Sequence, residues 1–208
     1  MLHMDLRGPM WVESINKKRY ILAIVDDYSH FTWVKFLRTK DEAPEIIIKI
    51  LKQAQVRLNA KVRYLRTDNS TEFLNQTLQN YKEDVGITHN TSTARTPQQN
   101  GLVEMRNRML VEPARTMLIF LKYALFLWDE AVAIACYTHN RSLIHNCHNK
   151  TPYELLRHCK PELKYLFIFG ALCYPTNDFE DLGKVLGNFS LKQILESLSV
   201  IHHPRRRT

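Results

Sequence analysis

The chain has 208 residues, 45% of them apolar and 24% charged, with a formal net charge of +8. A chain of this length buries roughly 70% of its unfolded surface, so a true core is within reach, and the ordinary composition excludes a low-complexity or repeat protein. The basic balance favours a polyanionic partner, although charge speaks to association and not to fold.

Two further classes fall away. The most apolar run, MLIFLKYALFLW, is broken by Lys122 and is shorter than the roughly 20 residues a membrane span needs, so it reads as core helix. No cationic region followed by an apolar stretch opens the chain, so no targeting peptide is expected. The cysteines at 136, 147, 159 and 173 form no C-x-x-C pair and read as free thiols in a reducing compartment. The cluster HNCHNK fits no common zinc spacing.

In chain order, MLHMDL, RYILAIVDD and FTWVKFLRT read as three strands, the last two separated by the turn-like DYSH. Short links between consecutive strands predict an antiparallel meander. A helix follows, with Thr39 and Glu42 at capping-box spacing and Pro44 in the first turns, where a missing donor matters least. Its apolar stripe is Ile47, Ile50, Leu51, Ala54 and Leu58. KVRYLRTD is a short strand ending in Asp68, TEFLNQTLQNYKEDVG a helix closed by Gly86, and ITHNTS a brief strand. From Leu102 the pattern is helical, with Pro113 inside the stripe, where it should kink or break the helix at about 3 kcal/mol. FLWDEAVAIACYTHNRSLI is a further helix, and TPYELL opens a short one. Strand–helix alternation after a meander predicts an α/β sheet of mixed direction.

Three acids come from three such elements: Asp5 in the first strand, Asp68 at the end of a later strand, and Glu104 in the first turn of the helix after the loop TPQQNG. Strand ends and the start of a following helix are natural meeting places for site residues. Taken singly, each acid has an ordinary structural role: a strand end, a turn, or a helix N-terminus with Arg108 four residues on. Gathered together they would repel, and oxygen-only ligands of this kind suit Mg2+ or Mn2+.

The segments HMDLRGPM, YILAIVDDYSHFTWVKFL, VRYLRTDNSTEF, GITHNTSTARTPQQNGLVEMRNRML and TPYELL, in this order, resemble the integrase catalytic core of copia-type retrotransposons. Asp68 and Glu104 have 35 residues between them, the spacing of retroviral-type integrases. The resemblance implies a ribonuclease H-like fold with a five-stranded mixed sheet, its first three strands antiparallel and helices flanking it. It divides the chain into a catalytic core over 1–125, a helical continuation over 126–184, and an unmatched basic tail over 185–208. It implies metal-dependent polynucleotidyl transfer, that is 3′-end processing and strand transfer in DNA integration, with Mg2+ or Mn2+, two ions when DNA is bound, held by Asp5, Asp68 and Glu104. It places Asn100 near the element's DNA end, and Arg106, Asn107 and Arg108 on a helix face that meets DNA. DNA is the implied partner, a homo-oligomer is compatible, no membrane is involved, and chromosomal DNA points to the nucleus. Gly101 would supply backbone freedom ahead of that helix.

The sequence also departs from the family pattern. Ser70 stands where glycine is common, and Pro113 where alanine is usual. The family's zinc-binding segment does not precede the first strand, and the stretch after DLGK is unmatched. A truncated copy is therefore expected, and a catalytically inactive nucleic-acid-binding remnant is the alternative. A ribonuclease H acting on RNA–DNA hybrids fits less well, because of the PQQNG loop.

Overall fold

The computed structural model describes residues 1–58, 61–68, 70–91 and 101–163. They contain strands β1 (Leu2–Arg7), β2 (Tyr20–Asp26), β3 (Thr32–Leu37), β4 (Tyr64–Thr67) and β5 (Thr88–Thr91). The helices are α1 (Ala43–Leu58), α2 (Gln76–Val85), α3 (Gly101–Phe120), α4 (Trp128–Ser142) and α5 (Pro152–Arg157). The five strands form one sheet in the order β3-β2-β1-β4-β5. The first three pair antiparallel, as their short links require. The crossover through α1 lets β4 lie parallel to β1, and α2 returns the chain to place β5 parallel to β4.

Alternation along β1 and β2 sorts the two faces. Leu2, Met4, Leu22 and Ile24 pack with Ile47, Ile50 and Leu51 of α1, Leu78 of α2, Leu65 and Phe73. Each fully buried leucine or isoleucine there contributes about 1.5–3 kcal/mol. On the other face Ala23 and Val25 meet Val103 of α3. The predicted stripe of α1 is therefore the buried one, with Leu58 only half-buried.

The helix ends differ from expectation in instructive ways. Thr39 makes no side-chain cap; a short 3-10 turn over Lys40–Glu42 precedes α1, and Glu42 Oε2 accepts from the Arg38 amide at 3.2 Å. The stretch predicted as one helix from residue 71 is a 3-10 turn, Thr71–Phe73, followed by α2, because Asn75 caps α2 by accepting from Thr77 N at 2.8 Å. Gly86 closes α2 with φ of +74°, a left-handed conformation that favours glycine. The Thr151–Glu154 pair does form a full capping box at the start of α5.

Pro113 neither breaks α3 nor divides it: the helix runs unbroken for 20 residues. Its missing N–H leaves the Met109 carbonyl without its helical donor, but Met109 and Pro113 are both exposed, where water can serve that oxygen. Gly101 is the first residue of α3, and a Cβ added there would meet nothing within 4 Å, so the helix start makes no demand for glycine.

Helix α4 is anchored to the sheet side by polar clamps. Thr32 N donates to Asn140 Oδ1 at 2.9 Å, and Asn140 Nδ2 donates to Thr32 O at 2.8 Å. Trp128 Nε1 donates to Val12 O at 2.9 Å. One compact unit accordingly runs Met1–Pro161, so residues 126–161 belong with the 1–125 segment. A second unit is Glu162–Thr208, of which only Glu162 and Leu163 are described; the 185–208 tail lies outside the described residues. No helix among the described residues is long and apolar enough to cross a membrane.

Candidate active site

Asp5 stands in β1 opposite Ala23 of β2. The parallel pairing of β1 with β4 sets Leu2 beside Leu65 and His3 beside Arg66. Continued by two residues, that register brings Asp68, just past β4, level with Asp5 on the neighbouring strand, about 4.8 Å away in backbone terms. Paired residues point to one side of a sheet. Met4 and Leu6 pack on the α1/α2 face, so Asp5 points to the α3 face. Glu104 enters from that side, exposed in the first turn of α3.

The electrostatics agree with this placement. Burial disfavours the Asp5 carboxylate and pushes its pKa up; the Asn107 amide pulls it down, and the charges of Asp68 and Glu104 raise it again. Asp68 and Glu104, from two other elements, are therefore both within electrostatic reach of Asp5 in the central strand. The three carboxylates nevertheless do not close into a cage. Asn107 Nδ2 donates to Asp5 Oδ2 at 2.5 Å, while the Ser70 hydroxyl and the Ser70 amide, at 3.3 Å, both donate to Asp68 Oδ1. Among the described residues no three His, Cys, Asp or Glu side chains are grouped closely enough to hold a metal ion.

Ser70 itself carries no backbone strain. Its φ is −76° and its ψ 148°, so the serine found where glycine was expected costs nothing there. Instead it adds a charge-assisted hydrogen bond to Asp68.

The helix that carries Glu104 does not present a uniform basic face. Arg106 and Asn107 are 4% and 1% exposed, pointing into the interior, and only Arg108 is exposed. The reading of all three as a DNA-facing row is corrected: successive helical residues turn by about 100°, so three in a row cannot share one face. Arg106 Nη1 lies 3.0 Å from His139 Nδ1 and also contacts Nε2 of that ring, and its Nε is buried with no hydrogen-bond partner among the described residues. Burial and the Arg106 charge push the His139 pKa down to about 4, so this ring is neutral at pH 7. Asn107, expected to meet DNA, is instead the partner of Asp5. Its position three residues after Glu104 was the available signal, since i and i+3 lie on one flank of a helix. Asn100 lies outside the described residues. Cys136 is buried, its thiol pushed up to about 12 by burial, and Cys147 and Cys159 are exposed.

An all-oxygen set of three carboxylates, one of them destabilised as an anion by its neighbours, fits a hard divalent cation by its chemistry.

Comparison with known proteins agrees with this geometry. Residues 1–97 match the family described as "Integrase core domain". The chain is 32% identical over 174 residues to the retrovirus-related Pol polyprotein from transposon TNT 1-94 of Nicotiana tabacum, covering 84% of this chain and 13% of that polyprotein. It is 31% identical over 162 residues to the corresponding polyprotein from transposon RE2 of Arabidopsis thaliana, covering 78% of this chain and 11% of that protein. The chain thus spans only a small part of the polyproteins it matches. Among solved structures, the HTLV-2 integrase catalytic core domain in complex with magnesium aligns with a TM-score of 0.56 at 21% identity, covering 75% of this chain and 95% of that one. The fold is the ribonuclease H-like one of retroviral integrase cores, and the chain carries the catalytic core domain of a retrotransposon integrase.

Proposed function

We propose that this chain performs metal-dependent polynucleotidyl transfer on DNA, processing the 3′ ends of an element and joining them to target DNA. The observation that carries this reading is Asp5 in the central strand, raised by burial and by the charges of Asp68 and Glu104. These three residues would hold the ions. When bound, one or two Mg2+ or Mn2+ ions would neutralise the acids and stabilise charge developing on the attacking and departing oxygens. Asn107 orients Asp5, Ser70 orients Asp68, and the start of α3 favours a nearby phosphate. Arg108, exposed one turn beyond Glu104, supplies a phosphate contact. The magnesium complex of the HTLV-2 core supports the choice of ion, and its trimeric and dimeric forms support assembly with further copies. A chromosomal target would put the activity in the nucleus.

A second reading, a catalytically inactive DNA-binding remnant, is favoured by one feature: the Asn107 amide and the Ser70 hydroxyl already occupy carboxylate oxygens that an ion would need. A strand-transfer assay in Mn2+ separates the two. The proposed activity requires Mn2+-dependent joining by the chain, its loss in Asp68→Asn and Glu104→Gln by at least about a hundredfold, and DNA binding preserved in both variants. DNA binding without any joining supports the remnant.

A further inference from the structure

Behind the acids, on the opposite face of the sheet, runs a chain of polar contacts that ends at Asp68. Lys82 of α2 is 2% exposed, and its Nζ lies 2.8 Å from His89 Nδ1 in β5. His89 Nε2 lies 2.9 Å from Thr67 Oγ1 in β4, and Thr67 Oγ1 donates to the Asp68 backbone carbonyl at 2.8 Å. Strand register explains the alignment: Leu65 pairs with His89 and Thr67 with Thr91, so His89 and Thr67 stand on the face that α2 covers.

Donor and acceptor rules fix the direction of the chain. An ammonium can only donate, so His89 Nδ1 must accept and carry no proton. The ring proton then sits on Nε2 and is donated to Thr67 Oγ1. The Thr67 hydroxyl is left with its own proton, which goes to the Asp68 carbonyl. Each link then has one donor and one acceptor, and the ring is held in one neutral tautomer. A buried lysine that meets an imidazole and not a carboxylate is costly, and in this arrangement it orders the strand end from which the Asp68 side chain leaves.

We propose that Lys82, His89 and Thr67 form a positioning relay that sets the backbone at Asp68 and so the reach of its carboxylate toward a divalent ion. This rests on the assignment of Asp68 to the ion site. It is tested in two measurements on the full chain. In 15N-histidine spectra, His89 is neutral with its proton on Nε2, and Lys82→Met removes that preference; a proton on Nδ1 in the parent chain overturns the relay whatever the enzyme does. Mn2+ affinity, read from the magnetic resonance signal of free Mn2+, weakens about tenfold in Lys82→Met and in His89→Leu, the lower end of what outer partners of an ion site contribute. His89→Gln, which keeps one acceptor and one donor, recovers most of that loss, as a merely structural role would not. Circular dichroism confirms that each variant is folded; methionine suits the buried lysine site in volume. Asp68→Asn is the control. If it abolishes Mn2+ binding while Lys82→Met and His89→Leu leave it unchanged, the relay is overturned and the ion site stands. If Mn2+ binding is indifferent to Asp68→Asn, the ion-site assignment fails and the relay's role fails with it.

Discussion

At Asp5, burial and charge work against the ionised form, and a single amide from Asn107 works for it. Because the folded-state pKa lies above the ordinary carboxylate value, the protonated form is the one the fold prefers. That contribution to stability is full below the ordinary carboxylate range and is lost as pH rises through the raised pKa. Asp5→Asn removes the repulsion while keeping the shape. It is expected to raise the melting temperature at pH 7.5 by about 2–4 °C and to flatten the fall in stability as pH rises above the ordinary carboxylate range. Saturating Mn2+ is expected to stabilise the parent chain and to leave Asp5→Asn unmoved. A melting series across pH, with and without Mn2+, checks all three outcomes; an unchanged pH profile in the variant would show that Asp5 is not under this strain.

Helix α3 joins three separate tasks: it packs Val103, Leu110, Ala114 and Leu118, it orients Asp5 through Asn107, and it carries Glu104 into solvent. Pro113 burdens the first task and lies six residues from Asn107 and nine from Glu104, about 1.7 and 2.5 turns away. Pro113→Ala restores a backbone hydrogen bond to Met109 O and is expected to gain up to about 3 kcal/mol in urea unfolding, with no change in Mn2+ affinity. A change in ion binding would mean that the proline bends the helix at the site after all. The same helix explains why Asn140 and Trp128 of α4 matter: their bonds to Thr32 and Val12 hold the outer layer against which Arg106 is buried.

Over the whole molecule, a net charge of +8 invites DNA, but burial decides which cations can answer. Arg108 is exposed and Arg106 is not. In DNA binding measured against salt, Arg108→Ala is expected to reduce the log–log slope by about 0.9, the loss of one phosphate contact. Arg106→Met is expected to leave that slope unchanged and to stabilise the fold by about 1–3 kcal/mol, because a buried guanidinium that meets a neutral imidazole and no carboxylate among the described residues is replaced by an apolar chain. Equal slope losses in the two variants would show that Arg106 reaches DNA.

Much of this protein could be read from local pattern. β-branched and aromatic runs marked β2 and β3, and the 3.6-residue stripe marked α1, since each signal is written by neighbours in the chain; Asp68 and Glu104 were singled out by their spacing in the family resemblance. Boundaries such as the start of α2 were less legible, because residues 71 to 86 read as one helical run and the side-chain cap at Asn75 divides it only in the folded chain. What the tertiary structure alone decided is which side of each element is buried. The turn of α3 against β1 and α4 sent Arg106 and Asn107 inward, made Asn107 the partner of Asp5, and let Arg108 face water. The pairing of β4 with β5 likewise brought Lys82 and His89 behind Asp68. Contacts between residues distant in sequence depend on strand register and helix rotation, which no short stretch of sequence encodes by itself.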